Sequence, residues 1–294
     1  MSPHGLAAIS ALAEITDSLQ DATFLVCRFD SIIDRYFLDK CKQLKVVLTL
    51  TTGTSHIDSV YCNENGIRIY TLHDDSSALQ KITSSSEYAL TLVLMAARGI
   101  GQSIRSPQGD TSTSFRYHKG TKEISSSRFG IIGFGRIGQY VSSVLSQISR
   151  EVIFYDPYVL TSSLKGAKKC SWHDIVDSDV VLVSCTYNAS THDMLNHDSF
   201  FRYTCENSFS LVNIARGPIV NCSSVIHRVR AGNASYYVDV YDSYPVNERN
   251  QLLSESLANP NIILTPHMGG KAATAVLKAD MIGCSIIKSL LSQQ

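Results

Sequence analysis

The chain has 294 residues, 44% hydrophobic and 18% charged, which is enough apolar material for one large or two ordinary domains with a core. Lys plus Arg and Asp plus Glu both count 26, so the formal net charge is zero; nothing points to nucleic acid or an anionic membrane, and a small molecule is the expected partner. The eight cysteines are scattered with no C-x-x-C pair, which argues against a disulfide framework or a zinc cluster and for reduced thiols in a cytoplasmic chain; no metal is expected. The N-terminus lacks the basic head and apolar centre of a secretion signal, and the longest apolar stretch, Tyr88–Ala97, is about half of a membrane span.

In chain order, Thr23–Val26, Val46–Leu50 and Ile67–Tyr70 read as strands. Glu87–Gly99 reads as a helix, with Ser84, Ser85 and Ser86 as candidate N-caps. Residues 101–128 are polar and carry Pro107, Gly109 and Gly120, so a connecting stretch is expected there. From Phe129 onward short apolar runs recur: Phe129–Gly133, Glu151–Tyr155, Val180–Ser184, Ser210–Ile214, Tyr236–Tyr241 and Ile262–Leu264. Runs apolar on both faces, alternating with helix-like segments, predict a parallel sheet covered on both sides. Six strands with crossover helices fit a doubly wound, Rossmann-type dinucleotide fold.

The sharpest local signal lies between the first of these strands and the helical stretch Gln139–Gln147. Gly133, Gly135 and Gly138 form G-x-G-x-x-G, with Arg136 and Ile137 between the last two glycines. Gly133 permits the tight turn, Gly135 lets a pyrophosphate approach the backbone, and Gly138 lets helix and strand pack closely. The helix N-terminus then offers N–H groups and a positive dipole end to the phosphates. The next strand ends in Asp156, 18 residues after Gly138. An acid there accepts the ribose hydroxyls of NAD and repels the 2′-phosphate of NADP, so NAD(H) is the expected cofactor.

Four further segments resemble the D-isomer-specific 2-hydroxyacid dehydrogenases. Thr49–Asp58, read TLTTGTSHID, looks like that family's glycine loop, and Glu87-Tyr88-Ala89-Leu90 like the start of its long helix. Asn213-Ile214-Ala215-Arg216-Gly217 is similar to N-x-[AS]-R-G, and Thr265–Gly270 to T-P-H-I-G-G, in matching order. The resemblance implies hydride transfer between NAD(H) and a small 2-keto or 2-hydroxy acid, and it implies the roles. Arg216 holds the carboxylate and carbonyl oxygens through its planar fork, and His267 is the general acid/base. The loop Thr52-Gly53-Thr54 binds substrate, the N–H groups of Gly53 and Thr54 receiving its carboxylate. Asp239 accepts from the nicotinamide carboxamide, and Thr186 and Ala215 also line the cofactor. The fold implied is a shortened flavodoxin-like substrate domain at 1–98, completed by a C-terminal helix at 271–294, and a dinucleotide-binding domain at 99–270. A homodimer is implied as well.

The match breaks at three places. The family's third catalytic residue is a Glu before a Pro, and here Tyr244 precedes Pro245. A neutral phenol, with a reference pKa of about 10, orients the histidine ring without supplying charge. Asp242 is the other candidate for that task, provided the segment turns it the right way. Thr186 stands where the family often has His, and only about 22 residues precede Thr23. The first domain's central strand is therefore expected to be missing or supplied differently. These departures keep a second reading open, an NAD(H)-binding sensor or interaction protein of weak activity. Intact Arg216 and His267 oppose it.

Overall fold

The computed structural model describes residues 1–105, 122–161, 163–204, 208–232 and 234–292. They divide into two compact units, Met1–Thr83 with Lys271–Gln294, and Ser84–Gly270. Most of the connecting stretch expected at 101–128, and Cys205, lie outside the described residues. The described part of that stretch includes the end of a helix, Ile100–Arg105, anchored where the Arg105 guanidinium donates to Ile262 O at 2.5 Å and to Ser256 O.

In the first unit β1 (Phe24–Cys27), β2 (Val46–Thr49) and β3 (Arg68–Tyr70) form a parallel sheet with β2 at its centre. All of β2 is buried, and its alternate residues serve two cores. Val46 and Leu48 pack with Ala279, Ile282 and Ile286 of the C-terminal helix Ala273–Leu291, and Val47 packs on the other face with Leu38, Ile57 and Cys62. That helix carries a buried acid, Asp280, 1% exposed, which pairs with Arg28 at 2.6 Å and accepts from the Ser2 N–H at 2.8 Å. The Asp280 side chain lies where a Cβ on Gly5 would stand, so the N-terminal helix Pro3–Ser10 approaches this closely only because residue 5 has no side chain.

Among the described residues the second unit has eight strands: β4 (Arg128–Ile132), β5 (Glu151–Tyr155), β6 (Ser163–Leu164), β7 (Ala167–Lys169), β8 (Val180–Val183), β9 (Phe209–Asn213), β10 (Ala234–Val238) and β11 (Ile262–Leu264). Their order is β11-β10-β9-β8-β4-β5-β7-β6, parallel throughout except for β6. Six of them answer to the expected strands. The hairpin of β6 and β7 is not legible as an apolar run, because it is a short edge ribbon rich in lysine, turned by Lys165 and Gly166 at positive φ. In β4 the period of two sends Phe129 and Ile131 to one core and Ile132 to the other.

The helix Ser84–Ala97 belongs to this second unit, although the sequence reading carries the first domain through residue 98. The reason is its apolar face: Ala89, Leu92, Val93 and Ala96 share one core with Phe129, Phe134, Phe154 and Tyr237. β4, the first strand of this unit along the chain, lies between β5 and β8, so the strand order reverses beside it. The crevice beyond the carboxyl ends of strands at such a point is where open α/β sheets bind ligands.

Candidate active site

At the end of β4 the three glycines each meet a different constraint. Gly133 adopts φ +89°, and a Cβ on it would lie 2.4 Å from the backbone of Cys185. A Cβ on Gly138 would stand 2.4 Å from the carbonyl oxygen of Gly133, so the helix Arg136–Leu145 packs onto the turn only with glycine there. Gly135 is exposed and a Cβ on it would meet nothing within 4 Å, which leaves open room for a phosphate against the backbone. No side chain caps the helix that Gly135 begins. Arg136 and Ile137 occupy its first turn, both half-buried, and burial lowers the Arg136 pKa. This cradle fits a dinucleotide pyrophosphate.

Asp156 follows β5 and reaches back to the same turn. Its Oδ2 accepts from the Phe134 N–H at 2.8 Å and its Oδ1 from the Tyr158 N–H at 2.9 Å. Ser184, which the sequence reading did not single out, donates to Gly133 O at 2.8 Å and ties β8 to the turn. Thr186, two residues on, is exposed and its carbonyl accepts from Thr191 Oγ1.

The loop after β9 presents Arg216. Fully buried Asn213 shapes it: Oδ1 accepts from the Ala215 N–H at 3.0 Å, and Nδ2 donates to Arg216 O at 2.9 Å. Ala215 is buried beside it. The Arg216 side chain is half-buried and donates to Ala215 O at 2.7 Å. Burial lowers its pKa, and the charge of Asp242 works in the opposite direction.

Asp242, not Tyr244, is the partner of His267. His267 Nδ1 lies 2.8 Å from Asp242 Oδ2. Tyr244 is buried, its ring stands against Gly217, and its hydroxyl donates to Val220 O at 2.8 Å while lying 3.1 Å from Tyr236 Oη. Burial, foremost, pushes the Tyr244 phenol well above its ordinary value, so it is a neutral core residue. The expected strand Tyr236–Tyr241 stops at Val238, and Tyr241–Ser243 form a 3-10 turn. Residues 242 and 244 therefore do not share a strand face, and the turn sends the acid to the histidine and the phenol to the core. Burial would raise the Asp242 carboxyl, but the hydrogen bond and charge of His267, with Arg216, outweigh it and hold it below the usual carboxylate value.

Asp239, the acceptor expected for the nicotinamide carboxamide, also bonds within the protein. It is 2% exposed, and both its oxygens are taken by the loop after β11. Oδ1 accepts from Thr265 Oγ1 at 2.7 Å and the Met268 N–H at 2.8 Å, and Oδ2 accepts from the Gly269 N–H at 2.8 Å. Its carbonyl accepts from the His267 N–H at 2.8 Å. These bonds hold His267 at φ +53°, a left-handed conformation unfavourable for a residue with a side chain.

Thr52, Gly53 and Thr54 belong to the first unit, in the loop that follows β2; Thr52 is exposed and the other two are half-buried. Among the described residues no group of three or more His, Cys, Asp or Glu is arranged to hold a metal ion. The seven described cysteines are free thiols, and burial raises Cys170 and Cys222 to about 12. No helix among the described residues is long and apolar enough to cross a membrane.

A glycine cradle at the switch point of a parallel sheet, with an arginine and a histidine–carboxylate pair on the loops that follow its strands, defines a nicotinamide-dinucleotide oxidoreductase. The chain belongs to the D-isomer specific 2-hydroxyacid dehydrogenase family: the family's NAD binding domain matches residues 90–269 and its catalytic domain residues 9–79. Its cofactor is NAD(H). D-3-phosphoglycerate dehydrogenase 1 of Saccharomyces cerevisiae is 27% identical over 273 residues, covering 89% of this chain and 56% of the yeast protein. D-3-phosphoglycerate dehydrogenase of Archaeoglobus fulgidus is 27% identical over 266 residues, 88% of this chain and 47% of that one. The chain thus spans about half the length of these two relatives. In fold it is similar to the D-lactate dehydrogenase of Aquifex aeolicus, solved with NAD and lactic acid, with a TM-score of 0.81 at 19% identity, covering 99% of this chain and 92% of that one.

Proposed function

We propose that this protein interconverts a small 2-keto acid and a D-2-hydroxy acid with NAD(H). The observation that carries the reading is the His267–Asp242 pair at 2.8 Å with Arg216 in its field. Bound NADH supplies the hydride from nicotinamide C4. Arg216 binds the carbonyl and carboxylate oxygens and stabilises charge growing on the carbonyl oxygen. His267, its Nδ1 held by Asp242, gives a proton to that oxygen through its other ring nitrogen and takes it back in the oxidative direction. Asp242, whose carboxyl is held below its ordinary value, keeps the ring oriented through Nδ1. The Gly53 and Thr54 N–H groups receive the substrate carboxylate, and Asp156 selects the ribose diol of NAD. Asp239 acts through the histidine loop, whose geometry it sets.

NADH oxidation against glyoxylate, pyruvate, hydroxypyruvate and longer 2-keto acids tests the reading. Turnover of at least one acid is expected, and tight NADH binding with turnover of none contradicts it. Arg216→Lys keeps the charge and loses the fork, so kcat/KM should fall at least roughly 100-fold, about 2.7 kcal/mol, at unchanged NADH affinity. Retention of more than about a third of the activity would remove Arg216 from the site.

A further inference from the structure

Behind the loop 52–54 two hydroxyls and an imidazole stand in line. Thr51 Oγ1 donates to the Gly53 carbonyl at 2.8 Å, Thr49 Oγ1 lies 2.8 Å from Thr51 Oγ1, and His56 Nε2 lies 3.0 Å from Thr49 Oγ1. Each hydroxyl has a single proton to give. Thr51 gives its proton to Gly53, so the proton between the two threonines comes from Thr49. Thr49 then has none for His56, and the ring must donate to it. The chain thus runs one way, and it puts a proton on Nε2 of His56. Thr49 is completely buried on β2, where an unmade bond is costly. Cys27 Sγ, 3.9 Å from the same nitrogen, is a neutral thiol that burial pushes up to about 11, so it offers no competing anion.

The Gly53 carbonyl and the Thr54 N–H belong to one planar trans peptide. Anchoring the oxygen toward Thr51 therefore turns the N–H to the opposite side. Among the described residues the Gly53 and Thr54 N–H groups meet no protein acceptor. We propose that Thr49, Thr51 and His56 are positioning residues, a directed hydrogen-bond chain that aims the Thr54 N–H at the carboxylate of the 2-keto acid. The proposal rests on the reading that this loop receives the carboxylate. Hydrogen bonds aligned in one direction strengthen one another, so His56 acts on the peptide without touching substrate.

The test uses the full chain loaded with NADH and titrated with oxamate, a 2-keto acid analogue that is not reduced, read by NADH fluorescence. Thr51→Val and His56→Phe should weaken oxamate about tenfold and leave NADH affinity within about twofold. Thr51→Ser and His56→Gln, which restore a hydroxyl or an N–H donor, should return to within about threefold of wild type. Nitrogen-15 NMR should find the His56 proton on Nε2. A Thr51→Val protein that melts as wild type and binds oxamate as wild type overturns the chain, as does a His56 protonated on Nδ1 alone. If Thr51→Val does not fold, His56→Phe and its Gln counterpart decide by the same titration. Thr54→Pro deletes the N–H itself and separates the two claims. Weakened oxamate in Thr54→Pro but not in Thr51→Val overturns only the positioning chain. If neither variant weakens oxamate, or wild type does not bind it, the carboxylate reading falls as well.

Discussion

Asp242 Oδ2 and His267 Nδ1 lie 2.8 Å apart, so the carboxylate that serves the histidine comes from a turn two residues before the phenol in line for that task. A chain without the family's usual Glu thereby keeps an acid at the ring.

That pair makes the first prediction. Asp242→Asn keeps the shape and removes the charge, so keto-acid reduction should fall by about 10- to 100-fold at unchanged NADH affinity, in line with the weight of a positioned acid/base partner. Tyr244→Phe removes the hydroxyl bond to Val220 O. It should cost stability of about 1 kcal/mol and leave the pH–rate profile as it is. The reverse pattern, with Tyr244→Phe moving the pH profile and Asp242→Asn not, would restore Tyr244 as the partner.

Asp239→Asn separates a loop clamp from a nicotinamide contact. Its carboxylate accepts three bonds from the segment 265–269. An amide cannot accept as many, and the left-handed turn at His267 loses its restraint. Thermal stability should drop by about 1–3 kcal/mol and kcat should fall with it, while NADH affinity changes little. A variant whose chief defect is NADH binding would return Asp239 to the cofactor role.

Asp156 should make NADH bind at least about tenfold more tightly than NADPH, a difference of about 1.4 kcal/mol. The carboxylate also accepts from the Phe134 N–H in the glycine turn. Asp156→Asn, which keeps one acceptor oxygen, is therefore a better probe than alanine. It should narrow the gap by easing repulsion of the 2′-phosphate. Equal dissociation constants in wild type, by fluorescence titration, would refute the assignment.

Asp280 gives a pH prediction for the first unit. Burial raises its carboxyl, but the hydrogen bonds from Ser2 and the hydrogen bond and charge of Arg28 prevail and leave it below the ordinary value. The unfolded chain therefore binds the proton more readily than the folded one. The stabilisation is fully present above the unfolded value of about 3.9 and is lost as pH falls through the lower folded value. Denaturation of wild type and Asp280→Asn should differ by a constant amount from pH 7 down to about 5 and converge below about 4. A gap that persists unchanged at the acid end would show that the carboxylate's charge is not what stabilises this corner.

How much of this was legible before folding depended on the range of the interaction. The cofactor turn is local: the glycines, the strand before them, the helix after and Asp156 lie within one short stretch of chain, and steric limits on backbone approach leave little choice of residue. The parallel sheet was equally open to reading, because strands covered on both faces need continuous apolar runs. The edge hairpin of β6 and β7 escaped, since lysines on a short ribbon carry no such run.

Sequence alone determined the family and its NAD(H) cofactor and singled out Arg216 and His267 as candidates, because each motif is written in residues adjacent along the chain. Tertiary structure decided which acid faces which group. Nothing in Asp239-Val240-Tyr241-Asp242-Ser243-Tyr244 says that β10 ends at Val238 and a 3-10 turn follows. A strand would have put residues 242 and 244 on one face, and the turn puts Asp242 on His267 and buries Tyr244 against Gly217. Asp239 likewise took its partners from a loop 26 to 30 residues away in the chain. Carboxylates are satisfied by whichever donors the fold brings near, and the sequence does not encode that proximity in any local pattern.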